Sequence, residues 1–261
     1  MAGTLPTPSV LRLIAPSKFV SASEASVLRL RARGREALAF AKQASLIHHD
    51  FGARLPQAAA GDHVVVLLHG LFATAGVLRP LKQRIEQETG AHTASFSYVP
   101  GPGVNRIAVG LADLIEQLPR GARVHLVGHS LGGVVARYFV QELGGDPRVQ
   151  HTVSLGSPFG GTTTARLMPA RAGRDICPGS ELLQRLCSTA GGHPVPHLSI
   201  SGADDTLVSA GTQLPGSEHV ELADCGHNGL LFDPRAAALV VGRIRSVMAQ
   251  QAGQALTEPA A

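Results

Sequence analysis

The chain has 261 residues, 44% of them hydrophobic and 16% charged, which suffices for one globular core and leaves room for an extension. Thirty glycines and 17 prolines argue against an all-helical protein. The formal net charge is +4, but outside Arg29, Arg31, Arg33 and Arg35 the basic residues are dispersed and no aromatic platform alternates with them. Nucleic acid is therefore not an expected partner, and an anionic membrane surface is the alternative reading of the charge.

Residues 1–60 are rich in Ala, Ser, Arg and Pro, hold no convincing strand, and read as a helical N-terminal extension. Residues 22–46 have a helical pattern with Val27, Leu30, Leu38 and Ala41 near one face and Gly34 interrupting it. The expectation is a helix packed on the domain, with a basic helix lying on a membrane as the sharper alternative. No secretory signal is visible, since the apolar run at 10–15 is short and broken by Arg12. No stretch approaches the roughly 20 apolar residues of a membrane span. A soluble, cytoplasmic protein is expected.

From residue 61 a regular alternation begins. Apolar runs at 63–69, 92–98, 123–127, 149–155, 195–201 and 218–222 read as strands. Helical patterns at 76–89, 104–118, 133–143 and 234–248 lie around them. Strands buried on both faces and alternating with helices of three to four turns indicate βαβ units. The expected fold class is α/β, with a mostly parallel central sheet of about six strands and helices on both faces, over residues 61–251. The strand-poor interval 158–196 is too long for an ordinary connection and is a candidate cap or lid, in which Leu182, Leu183 and Leu186 would share a helical face. That face reads equally well as an ordinary packed helix. Residues 252–261 read as a flexible tail.

Three cysteines, Cys177, Cys187 and Cys225, argue against a full disulfide framework, leaving a Cys177–Cys187 bridge or three free thiols open. Cys and His show no metal-ligand spacing, and no metal or cofactor is expected.

The most specific local signal is Gly128-His129-Ser130-Leu131-Gly132, a G-x-S-x-G pentapeptide between an apolar strand and a helical pattern. A serine there occupies a sharp strand-to-helix turn that lifts its hydroxyl clear of the backbone. An alcohol needs a base before it attacks, and the base needs an acid to orient it. His227, in the loop after the last strand, is the candidate base. The preceding strand leads into Asp204-Asp205, and the spacing from Gly202 to Val208 favours Asp205 as the acid. The developing oxyanion requires preorganised donors. The N–H of Leu131, at a helix start, is one, and the N–H of Leu71, in His69-Gly70-Leu71-Phe72, is the other. His69 and His129 read as packing or hydrogen-bonding neighbours.

Taken together, Leu68-His69-Gly70-Leu71, Gly128-His129-Ser130-Leu131-Gly132-Gly133, Leu155-Gly156-Ser157-Pro158-Phe159-Gly160-Gly161-Thr162, Asp204-Asp205 and Gly226-His227-Asn228-Gly229-Leu230-Leu231 resemble the α/β-hydrolase superfamily. More narrowly they resemble bacterial triacylglycerol lipases and related esterases, over about residues 62–246. Phe159 stands where many lipases have His. The resemblance implies a Ser130–Asp205–His227 triad, the oxyanion pair Leu71 and Leu131, and a small-molecule ester or lipid substrate met in solution or at a lipid interface. Phe72 and Phe159 are the candidates to line the acyl site. The implied activity is that of a lipase or carboxylesterase. The alternatives are an acyltransferase or thioesterase with the same triad, or a non-catalytic binding module.

Overall fold

The computed structural model describes residues 11–12, 22–49, 55–95, 97–99, 101–168, 170–208 and 211–257. Six strands form the body of one sheet: β2 (His63–Leu68), β3 (His92–Ser95), β4 (Arg123–His129), β5 (Val149–Leu155), β6 (His197–Gly202) and β7 (Glu218–Leu222). A two-residue strand, β1 (Leu11–Arg12), adds to the edge beside β7, and the order is β1-β7-β6-β5-β4-β2-β3 with every pair parallel. The sequence reading placed no strand before residue 61. Two residues carry no alternation to detect; β1 nevertheless pairs with the backbone of β7 that would otherwise be an open edge.

The continuous apolar runs become strands buried on both faces. Val64, Val66 and Leu68 face one core, shared with α3 (Val104–Glu116) through Ile107, Leu111 and Ile115 and with α4 (Leu131–Glu142) through Val134, Val135 and Phe139. Val65 and Leu67 face the other, with Leu81 and Ile85 of α2 (Arg79–Thr89) and Val240, Val241 and Ile244 of α7 (Pro234–Thr257). Helix α7 runs past the expected end at 248 to Thr257, while residues 258–261 lie outside the described residues.

The two stretches with open readings, 158–196 and 22–46, both fold into helical elements. The interval 158–196 contains a 3-10 turn (Thr163–Leu167), the short helix α5 (Arg171–Asp175) and α6 (Glu181–Ala190), whose N-cap Ser180 accepts from the Leu183 N–H. Leu183 and Leu186 are buried in the core that also holds α4, and Gln141 of α4 donates to the Leu186 carbonyl at 2.8 Å. The apolar face of α6 is thus packed on the domain. Helix α1 (Ala22–Leu46) also packs on the domain, but not through the expected face. Ala39 and Gln43 are buried and Leu46 joins the second core, whereas Leu30, Leu38 and Phe40 are exposed. Among the described residues no helix is long and apolar enough to cross a membrane, and Cys177, Cys187 and Cys225 are free thiols.

Candidate active site

The C-terminal ends of β2, β4, β5, β6 and β7 bring their following loops to one edge of the sheet, the place where ligands meet open parallel sheets. Ser130 joins β4 to α4 at φ 53° and ψ −120°, a left-handed backbone that a residue bearing a Cβ rarely adopts. Its N–H donates to the Leu155 carbonyl at 2.8 Å, fixing the turn to the neighbouring strand. The flanking glycines are steric requirements. A Cβ on Gly128 would lie 2.2 Å from the Gly133 nitrogen, and one on Gly132 would lie 2.3 Å from the Leu68 carbonyl oxygen.

His227 leaves the loop after β7 and opens a single 3-10 turn, Asn228–Leu231. Its Nδ1–H donates to Asp205 Oδ2 at 2.7 Å, and the two side chains are only 6% and 1% exposed. The other carboxylate oxygen, Oδ1, accepts from the N–H groups of Leu207 (2.9 Å) and Val208 (2.7 Å), so the acid is held from both sides. Committing Nδ1 to Asp205 leaves Nε2 as the ring nitrogen for proton exchange. Asp204 turns outward and pairs with Arg35 at 3.3 Å. Gly156, at φ 61° after β5, closes under the pair, since a Cβ there would lie 3.1 Å from His227 Nδ1 and 3.3 Å from Asp205 Oδ2. Gly156 lies in the Leu155–Thr162 run that carries the family resemblance, but nothing in that run assigns it a role beneath the pair.

The loop after β2 lies against the elbow: a Cβ on Gly70 would be 3.1 Å from Ser130 Cβ. Leu71 follows and is half-buried, and Phe72, at φ 59°, is 55% exposed. Leu131 is the first residue of α4, where N–H groups have no intrahelical acceptor. Phe159 behaves differently. It is buried in the core, with its ring edge-on to His197 at 5.4 Å, so the structure does not bring it to the mouth with Phe72.

Two further histidines brace the cluster. His129 Nε2–H donates to the backbone carbonyl of His227 at 3.1 Å, and the two rings lie 4.8 Å apart. Burial, and then the charge of His227, push the His129 pKa down to about 3. His69 Nδ1–H donates to the Gly70 carbonyl at 2.7 Å and its Nε2 accepts from the Tyr98 N–H at 3.1 Å; burial holds its pKa at about 4. Both rings are neutral above pH 5, so His227 is not repelled by a second imidazolium. Tyr98 stacks on His69 and its hydroxyl donates to the His69 carbonyl.

A family model described as palmitoyl protein thioesterase matches residues 64–191, the stretch that carries the elbow. In three dimensions the chain is similar to a monoacylglycerol lipase of Paleococcus ferrophilus, with a TM-score of 0.57 at 15% identity over 70% of this chain and 94% of that one. The chain has the α/β-hydrolase fold. It is also similar to the mature Bacillus licheniformis lipase BlEst2 (TM-score 0.54, 15% identity, 69% and 91% of the two chains). A Pyrobaculum calidifontis esterase matches at a TM-score of 0.51 and 15% identity over 87% and 93%. The resemblance to lipases and esterases read from the motifs agrees with these matches, and so does the expected parallel sheet.

Proposed function

We propose that this protein is a serine hydrolase of carboxylic esters with apolar acyl groups, acting through Ser130, His227 and Asp205. The observation that carries this reading is the buried Asp205–His227 hydrogen bond beside a serine held at positive φ on a strand–turn–helix elbow. Ser130 Oγ attacks the ester carbonyl carbon while His227 Nε2 takes the hydroxyl proton. The carbonyl electrons move onto oxygen, which the N–H groups of Leu71 and Leu131 stabilise. Collapse of the adduct breaks the bond to the alkoxide, and His227 returns the proton to it. Water then attacks the acyl-enzyme with the same proton exchange, releasing the acid and restoring Ser130. Asp205 holds the tautomer and stabilises the imidazolium without accepting its proton. A preference for apolar acyl groups is supported by the exposed side chains of Phe72, next to Leu71, and Leu207, whose N–H donates to Asp205.

Folded Ser130→Ala is expected to lose at least about 1,000-fold in turnover of p-nitrophenyl esters, and a fluorophosphonate is expected to label the wild type but not the variant. Hydrolysis by the variant near the wild-type rate would refute the assignment.

A second reading, thioester hydrolysis by the same steps, is favoured by the match to the palmitoyl protein thioesterase model. Comparing kcat/KM for a long-chain acyl-coenzyme A with that for the p-nitrophenyl ester of the same acyl chain separates the two.

A further inference from the structure

Helix α1 lies outside the stretch matched by the family model, yet one of its turns reaches both loops that carry His227 and Asp205. Glu36 Oε1 accepts from the Asn228 N–H at 2.7 Å and from the Asn228 side-chain amide at 2.8 Å. Glu36 Oε2 accepts from the Gly229 N–H at 3.2 Å. These are the backbone donors directly after His227, at the start of a helical turn that leaves them without internal acceptors. A carboxylate satisfies them with charge-assisted hydrogen bonds, stronger than neutral ones. Gly226, on the other side of His227, has adapted to the same contact: a Cβ there would lie 2.3 Å from Glu36 Oε2. The neighbouring Arg35 pairs with Asp204 and with Asp224, each at 3.3 Å, bridging the acid loop to the base loop. Those pairs are substantially exposed and contribute little, so the weight falls on Glu36.

We infer that Glu36 is a positioning residue for His227, supplied by the N-terminal helix from outside the hydrolase core. His129 Nε2–H holds the His227 carbonyl, and Glu36 holds the two N–H groups that follow it, so the backbone of the base is gripped from two directions. Glu36 acts on the reaction only through that backbone. Its effect belongs in turnover, because a base displaced by about 1 Å can cost on the order of 100-fold while substrate binding is untouched. The inference rests on the role proposed for His227.

The test uses the full chain with Glu36→Ala, Glu36→Gln and Ser130→Ala, measuring kcat and KM on one p-nitrophenyl ester and the folded fraction at the assay temperature. Glu36→Ala is expected to lower kcat about 10- to 100-fold with KM within about two-fold. Glu36→Gln keeps an oxygen acceptor for Asn228 and is expected to recover kcat to within about five-fold of wild type. If Glu36→Ala does not fold, Glu36→Asp replaces it, and the shorter side chain is expected to fall well below Gln in kcat. A kcat for Glu36→Ala within two-fold of wild type, a loss confined to KM, or Gln no better than Ala or Asp would overturn the inference. Turnover by Ser130→Ala at the wild-type rate would instead overturn the proposed function. An inert Ser130→Ala beside a fully active Glu36→Ala defeats the positioning role alone.

Discussion

Asp204 and Asp205 are adjacent in sequence and unlike in surroundings. Asp205 is buried and accepts three hydrogen bonds, one of them from His227. Asp204 is partly exposed and meets Arg35. Asp205→Asn puts an amide opposite His227 Nδ1, which favours the wrong tautomer and is expected to cost on the order of 1,000- to 10,000-fold in kcat. Asp204→Asn removes one exposed ion pair and is expected to stay within about three-fold. Similar losses in the two variants, measured as kcat on a common ester, would show that the carboxylate roles are misassigned. The distinction was legible in sequence because the Gly202-to-Val208 spacing sets the turn, and Val208 supplies one of the N–H groups that fix Asp205. Glu36 was not legible. Its partners lie 192 and 193 residues away, and nothing local separates it from any solvated helical glutamate. Phe159 is the opposite case: the lipase-like run around it made it a candidate for the acyl site, but the turn sends its ring into the core beside His197.

The elements follow the same physical division. The strands of the central sheet and the helices flanking them were readable because burial on both sheet faces writes continuous apolar runs into the sequence. The seating of α1 was not, because it docks with Ala39, Gln43 and Glu36 while Leu30 and Leu38 remain outside. Helix α6 had two readings from one pattern, a movable lid or a packed helix. Leu186 has no exposed surface in the structure, and α6 is tied to α4 by Gln141 bonds to the Leu186 carbonyl and to Thr189 Oγ1. Leu186→Ala is accordingly expected to destabilise the protein by about 2–5 kcal/mol, measured as a fall in the denaturant midpoint, with activity per folded molecule on short esters unchanged. A lid would behave otherwise: unchanged stability together with altered turnover of long-chain esters would show that α6 is not part of the core.

At the scale of the whole molecule, the histidines set the response to acid. His63 Nδ1 lies 2.8 Å from His125 Nε2, and His125 Nδ1 lies 3.1 Å from His151 Nδ1, forming a row of rings across β2, β4 and β5. His197 sits between Thr152 and Ser154 on the neighbouring strand. Burial first, and then neighbouring charges including Arg243, bring His151 to about 3; burial likewise holds His125 and His197 well below the ordinary imidazole range. His69 and His129 at the candidate site belong to the same set. Because each native pKa is depressed, the unfolded chain binds more protons than the native protein between about pH 4 and the unfolded value near 6.5. Stability is therefore insensitive to these rings above pH 6.5 and falls as pH drops below it. At pH 5 each of His69, His129 and His151 disfavours the native state by about 2 kcal/mol, a large share of the roughly 5–15 kcal/mol typical of a folded domain. The thermal midpoint is expected to be flat from pH 8 to 6.5 and at least about 10 °C lower at pH 5, with net proton uptake on unfolding there. A midpoint unchanged between pH 7 and pH 5 would mean that the buried rings are protonated in the native state, and that the neutral His129 and His69 assigned around His227 are incorrect.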